Sequence, residues 1–136
     1  MIEILKKEDL NKYKELIDAC FGSSTDLINY EKYMESSNYT ILVFKENEKI
    51  IGSVTYYKIE LFTFGYYPAV QLFNVCVLPE YRKNNIAAKL IEEVEVFCKN
   101  NGYKQMFINC LEQLGGFYEK IGFTKDDSVK YIKMVF

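Results

Sequence analysis

The chain has 136 residues, 49% hydrophobic and 26% charged, which suits one globular domain and excludes collagen-like, disordered and coiled-coil organisation. Seventeen Lys and Arg against nineteen Asp and Glu leave a formal charge of −2, so no nucleic-acid partner is expected. No apolar run approaches the ~18 residues of a membrane-spanning helix. Acids at Glu3, Glu8 and Asp9 stand where a signal peptide would need its apolar stretch. These features lead us to expect a single cytoplasmic domain over residues 1–136, with no membrane partner.

The absence of His removes Ser–His and Cys–His nucleophilic pairs and His-containing zinc sites. Cys20, Cys76, Cys98 and Cys110 show no C-x-x-C spacing, so they read as buried free thiols and no metal is expected. Twelve Tyr and ten Phe, with no Trp, must supply much of the core of so small a chain.

In chain order, Met1 to Leu5 suits a short strand, and Leu10, Tyr13, Leu16, Ile17 and Cys20 form a helical stripe that Gly22 ends. Ser23, Ser24 and Thr25 are candidate caps for a second helix carrying Leu27, Ile28, Tyr30, Tyr33 and Met34. Tyr39–Phe44 reads as a strand, residues 46–49 as a turn and Ile50 to about Phe62 as its partner. Gly65 and Pro68 bracket an aromatic-rich connection. Val70–Leu78 is a β-rich run closed by Pro79, and an amphipathic helix follows with Ile86, Leu90, Val94 and Phe97 on its stripe. Gly102 suits its left-handed cap. Met106–Ile108 reads as a strand, Gly116–Ile121 as a short helix closed by Gly122, and Val129–Phe136 as a last strand. The central strand–helix–strand unit implies a parallel pair with a right-handed crossover, and the flanking hairpins make the sheet mixed: α+β, or mixed α/β, with about four helices.

The sharpest local feature is the turn Leu78-Pro79-Glu80-Tyr81-Arg82-Lys83-Asn84-Asn85-Ile86-Ala87-Ala88. A tight strand-to-helix turn aims free backbone N–H groups and the positive helix end at one spot, and Arg82 and Lys83 add cations. The small side chains of Ala87 and Ala88 let a ligand approach the first helical turn. Together they suit a diphosphate-like group.

Residues Val77 to Ala87 resemble the acyl-CoA pyrophosphate loop of the GNAT superfamily of N-acyltransferases, and Phe117-Tyr118-Glu119-Lys120-Ile121-Gly122-Phe123 resembles its second signature. The resemblance spans nearly the whole chain. It implies a GNAT-like mixed, mostly antiparallel sheet with a splayed parallel strand pair. It also implies acetyl-CoA as co-substrate. Val75, Cys76 and Val77 would hold the pantetheine arm through backbone groups. Arg82, Lys83, Asn84, Asn85, Ile86, Ala87 and Ala88 would form the pyrophosphate site. Tyr118 matches the tyrosine that many members use as general acid toward the departing thiolate, a phenol that is protonated at neutral pH.

The sequence departs from the family pattern at three places. Asn85 stands where Gly is preferred, at a turn position expected to need φ > 0, which Asn tolerates better than other non-Gly residues. Phe73 and Asn74 replace the acids that many members carry as base, leaving Glu60 and Glu112 as the nearest carboxylates. Asn109 stands two positions earlier than the usual cofactor-contacting Asn.

The implied activity is an N-acetyltransferase moving the acetyl group to a primary amine of a small molecule or peptide, by direct transfer in a ternary complex. The alternative is a catalytically impaired CoA-binding or regulatory module of the same fold. Residues 110–124 also resemble the corresponding part of glucosamine-6-phosphate N-acetyltransferases, through Cys110-Leu111, Gln113, Gly116-Phe117-Tyr118, Lys120, Gly122 and Thr124. A sugar phosphate would need a cationic receptor, and the sequence assigns none outside the cofactor loop. Tyr56, Tyr57, Tyr66 and Tyr67 fall where the family builds its acceptor wall. The family's frequent homodimers make a dimer compatible with the resemblance.

Overall fold

The computed structural model describes residues 1–62 and 65–136. Five strands form one sheet in the order β1-β2-β3-β4-β5, with β1 Ile2–Ile4, β2 Tyr39–Glu46, β3 Lys49–Leu61, β4 Tyr67–Val77 and β5 Gln105–Ile108. The first four are antiparallel neighbours, and β5 runs parallel to β4. Among the described residues four α-helices flank the sheet: α1 Leu10–Phe21, α2 Leu27–Glu35, α3 Ile86–Asn101 and α4 Gly115–Lys120. This is the mixed sheet with a parallel pair that the sequence predicts, and α3 is the crossover.

Local chemistry accounts for most boundaries. Asn47 and Glu48 both adopt positive φ, as a tight β2–β3 hairpin of right-handed twist requires. Gly22 and Gly102 end α1 and α3 with positive φ and return their N–H groups to Asp18 and Cys98 carbonyls respectively, the latter through the cap and the following Tyr103. Asp26, not Ser23, Ser24 or Thr25, caps α2, because its carboxylate accepts the Asn29 N–H at 3.4 Å. Ser24 and Thr25 are engaged elsewhere: Ser24 donates to Asp18, and Thr25 accepts from Asn29 Nδ2 at 2.6 Å.

The core lies on both faces of β2, β3 and β4. Val54, Tyr56, Val70 and Leu72 are buried beside Leu90, Ile91, Val94 and Cys98 of α3, while Tyr13, Leu16 and Ile17 of α1 close the other side. Gly52 sets how closely α3 approaches. A Cβ there would stand 3.0 Å from Ile86 Cγ2 and 3.2 Å from the Cys76 carbonyl oxygen, so a larger residue would push the start of α3 off the sheet.

Three expectations need correction. Val129–Phe136 is not a strand within this chain: it has no regular secondary structure and its side chains are exposed. The thiols are not uniformly buried: Cys76 and Cys98 are, Cys20 is half-buried and Cys110 is exposed. Pro68 belongs to β4 rather than to a connection, opposite Glu60, while residues 63 and 64 of that connection lie outside the described residues.

The best-buried charge cluster lies at the β1–β2 edge of the sheet. Lys45 Nζ reaches Asp9 Oδ2 at 2.6 Å and Glu3 Oε1 at 2.9 Å, with Asp9 almost wholly buried. The Lys45 hydrogen bond holds both carboxyls below their usual range, against the opposing effect of desolvation, and the two carboxylates in turn hold the Lys45 ammonium above its own. The carboxylates contribute stability that is present above about pH 4 and lost as pH falls through their lowered values. The lysine contributes stability that is complete below about pH 10.4 and lost as pH rises through its raised value. Asp9→Asn is therefore expected to lower Tm by a few degrees at neutral pH and to flatten its fall on acidification, so that variant and parent converge near about pH 2. Thermal unfolding followed across that range checks this, and parallel curves would contradict it.

Candidate active site

Strand β4 has 11 residues and β5 only four, and their pairing ends at Leu72 opposite Ile108. Beyond that point one edge of β4 has no partner strand. At the same place β4 carries an extra residue against β3: Ser53 faces Cys76 and Thr55 faces Phe73, so Val54 opposes both Asn74 and Val75. This is a β-bulge, and Asn74 occupies it with φ 51°. Asn is one of the few non-Gly residues that tolerate this region through local polar contacts of its side chain.

The ladder fixes which backbone groups face the gap. The Leu78 N–H donates to the Ile51 carbonyl at 2.8 Å, so Leu78 and, two residues back, Cys76 direct their backbone toward β3. Val77 and Val75 alternate with them and direct their N–H and C=O groups to the open side. The Val77 carbonyl is answered there by Arg82 Nε at 2.9 Å. The structure thus brings Val75 and Val77 to the cleft and turns the backbone of Cys76 away, while the Cys76 thiol is buried and pushed well above its ordinary pKa by desolvation.

The second wall is the loop that follows. Pro79–Asn84 makes a 3-10 turn, and Asn85 takes the left-handed conformation with φ 57° as the residue before α3. The sequence placed a positive φ at this position, and it is there. Asn85 makes no side-chain cap, and the first helical bond runs from the Lys89 N–H to its carbonyl at 3.0 Å. The N–H groups of Ile86, Ala87 and Ala88 are consequently left for an outside acceptor at the positive end of a 16-residue helix, and no acidic side chain sits in that first turn. Lys83 and Asn84 are exposed beside it. Arg82 ties the loop to the end of β4 through Nε, a bond that sequence reasoning, which gave it a ligand contact only, did not foresee.

The remaining candidate residues lie in and after β5. Gln71 Nε2 bonds Asn109 Oδ1 at 3.0 Å and the Phe107 carbonyl at 3.4 Å, stapling β4 to β5 just before they part. Asn109, the displaced Asn of the sequence reading, is thereby occupied. Tyr118 is nearly buried, its ring held edge-on by Phe117 at 5.0 Å and Phe123 at 5.6 Å, with its carbonyl accepting from the Ile121 and Phe123 N–H groups. Burial, with a smaller contribution from neighbouring Cys110, raises its phenol pKa, so the proton stays on the oxygen at neutral pH.

The acidic candidates fare differently. Glu60 lies opposite Pro68, five residues along β4 from the gap, and accepts from the Tyr66 hydroxyl at 3.4 Å. Glu112 is exposed and 3.7 Å from Lys125. Phe73 and Asn74 are themselves exposed at the bulge, where they bring no carboxylate.

The aromatic wall also differs from expectation. Tyr56 points to the α3 face, where it stacks on Phe97 at 5.0 Å, and Tyr66 and Tyr67 are exposed near the start of β4. Tyr57 alone of the four joins a continuous row: Tyr33 to Tyr39 at 4.1 Å, Tyr39 to Tyr57 at 4.6 Å and Tyr39 to Phe73 at 6.5 Å. Sequence reasoning missed Tyr33 and Tyr39 because the row crosses α2, β2, β3 and β4. The usable signal was the direct Tyr39–Tyr57 register across the hairpin.

Comparison with known proteins identifies the family and the fold. A family model described as an acetyltransferase (GNAT) domain matches residues 6–135. A comparison with curated proteins found no match. Among solved structures, an acetyltransferase of Trypanosoma brucei superposes with a TM-score of 0.87 at 21% identity, covering 98% of this chain and 99% of its own. Glucosamine-6-phosphate N-acetyltransferase of Arabidopsis thaliana gives 0.85 at 21% identity, covering 98% and 97%. An aminoglycoside acetyltransferase from an uncultured soil metagenomic sample, solved with sisomicin, gives 0.84 at 22% identity, covering 100% and 95%.

The bulge makes a stability prediction. Asn74→Val, a β-branched residue at positive φ, is expected to lower the unfolding free energy by about 1–2 kcal/mol, and Asn74→Gly to change it by less than about 0.5 kcal/mol. Urea titration measures both, and equal stability of the Val variant would contradict the left-handed bulge.

Proposed function

The chain belongs to the GNAT acetyltransferase family, and from that premise we propose that it moves an acetyl group from acetyl-CoA to a primary amine by direct transfer in a ternary complex. One observation carries the reading: the unpaired end of β4, opened by the Asn74 bulge, leads directly into the bare N-terminus of α3. An elongated ligand with a polar amide arm and a diphosphate matches that sequence of donors. The arm pairs with the Val75 backbone and the Val77 N–H along the open edge, and the diphosphate accepts from the Ile86, Ala87 and Ala88 N–H groups with Lys83 nearby.

The chemistry follows from the same placement. A backbone N–H of the bulged strand would polarise the thioester carbonyl. The amine nitrogen forms a bond to the carbonyl carbon, the C–S bond breaks, and the Tyr118 phenol supplies a proton to the leaving sulfur and regains one from solvent. The proton lost by the amine passes to solvent, since no carboxylate stands at Phe73 or Asn74. No enzyme nucleophile is required, and a Cys76 thiol held protonated by burial is unsuited to be one.

The acceptor is read as a small-molecule or peptide amine, cytoplasmic like the enzyme. Glucosamine-6-phosphate and aminoglycosides are substrate names borne by the neighbours. The row Tyr33–Tyr39–Tyr57–Phe73 favours an acceptor with an apolar or cationic face, because aromatic rings attract both. A second reading, a CoA-binding module without transfer, draws on the missing carboxylate at Phe73 and Asn74.

Acetyl-CoA at a hundred times its Kd is expected to add about 2.7 kcal/mol, a rise of several degrees in Tm. With binding established, CoA-thiol release is followed over a panel of primary amines. Tyr118→Phe should then retain the shift and lose at least about tenfold in kcat. Turnover equal to the parent would remove Tyr118 from the reaction. A shift with no turnover on any amine would favour the binding module, and no shift would overturn both readings.

A further inference from the structure

Two of the chain's thiols meet beneath the open end of β4. Cys20 ends the α1 stripe that begins at Tyr13 and runs through Leu16 and Ile17, so it faces the sheet with them. Cys76 stands directly opposite Ser53 in the β3–β4 ladder. Val54 and Tyr56 point to α3, so Ser53 and Thr55, which alternate with them, point to α1, and Cys76 shares that face. The Tyr13 side chain lies against Ser53 and Thr55, which fixes α1 over this part of the sheet. There the Cys20 and Cys76 thiols come within hydrogen-bonding reach of one another.

The two thiols differ in access. Cys20 is half-buried in the last turn of α1, just before the Gly22 that ends it, and solvent reaches it. Cys76 is buried, and desolvation together with the neighbouring Cys20 keeps its proton on the sulfur. Cys98 lies on α3, across the sheet, and Cys110 is exposed beyond β5, so neither stands between α1 and β4. An accessible thiol resting on a buried one allows an oxidised sulfur to be resolved within the same chain.

We propose that Cys20 and Cys76 form a reversible disulfide when the chain meets a hydroperoxide, and that this bond is a redox switch on the open strand of the cleft. With hydrogen peroxide, the Cys20 sulfur attacks one oxygen and the O–O bond breaks. The departing hydroxide takes the Cys20 proton and leaves as water, and Cys20 becomes a sulfenic acid. The Cys76 sulfur then bonds to the Cys20 sulfur, the S–O bond breaks, and the hydroxyl leaves as a second water with the Cys76 proton. The buried thiol thus passes its proton directly to the leaving group. The two sulfurs together give up two electrons, and the peroxide takes them up.

The link reaches the cleft because Cys76 lies between Val75 and Val77, whose backbone groups face the open side. An S–S bond of about 2.0 Å is shorter than any contact between unbonded thiols, so closing it draws the last turn of α1 and β4 together by about 1 Å or more. The Asn74 bulge stands beside this residue, and the ladder is already interrupted there, so β4 gives way at that place. The movement is independent of which ligand the cleft holds. The bond also closes a long loop of the chain, which raises the stability of the fold by restricting the unfolded state.

The test treats the reduced, intact chain with equimolar hydrogen peroxide and then alkylates the remaining thiols. Two of the four cysteines are expected to escape alkylation, and proteolysis without reductant should yield a linked Cys20–Cys76 peptide that dithiothreitol separates. The oxidised chain should melt several degrees higher than the reduced one. The amide resonances of Val75 and Val77 should move on oxidation and return on reduction, while those of Ile2–Ile4 stay fixed. Cys20→Ser should form no link within the chain and show neither change. Four alkylated cysteines after peroxide, a link within the chain between other cysteines, or Cys20 carried to sulfinic acid without a link would overturn the proposal. A Cys20–Cys76 link that leaves the Val75 and Val77 resonances in place would refute the switch.

Discussion

The site depends on one constraint: β4 is much longer than β5, and the pair cannot stay together past Leu72. A polar backbone edge left open inside a protein is ordinarily costly, so such an edge persists where water or a ligand answers it. Here the Asn74 bulge puts an extra residue into β4 just past its last pair with β5. The Arg82 guanidinium satisfies the Val77 carbonyl at one end of the gap, and the Gln71 amide staples the two strands at the other. Between these ties the chain holds an unpaired strand edge with side chains of low reactivity, which is suited to binding an extended arm through backbone groups alone.

The proposed function would distribute its chemical roles over the same geometry. Anion binding would fall to the start of α3, held over the sheet by the close Gly52–Ile86 contact and opened by the left-handed Asn85. Proton donation would fall to Tyr118, whose ring is fixed by two edge-on aromatics and whose proton burial retains. Acceptor binding would fall to the tyrosine row on the α1–α2 side. None of these groups is a carboxylate. The chain's best-buried acid, Asp9, is committed to Lys45 at the β1–β2 edge of the sheet, where the pair contributes to stability.

Much of this was legible in the sequence where the cause is local. Asn85 was readable because a helix start bearing a turn needs a positive φ and few side chains accept one. The β2–β3 hairpin, α3 and its Gly102 cap followed from periodicity and turn chemistry. The Asn74 bulge was not read, although an Asn beside Phe73 in a β-rich run is a weak sign of a break. The tyrosine row escaped because its members meet through register and packing across four elements, which no spacing along the chain encodes. Tyr56 and Tyr57 are adjacent in sequence, yet strand alternation sends them to opposite faces of the sheet. Val129–Phe136 failed as an element of this chain for a related reason: a β-rich run marks a candidate strand and does not supply the sheet edge that a strand needs.

The most direct test of the cleft as the acetyl-CoA site is an amide chemical-shift titration of the isotopically labelled protein with acetyl-CoA. The account predicts that the N–H resonances of Val75, Val77, Ile86, Ala87 and Ala88 move together along one saturable binding curve, while those of Ile2–Ile4 in β1 stay fixed. Saturable movement confined to other parts of the sheet, or none at all, would contradict it.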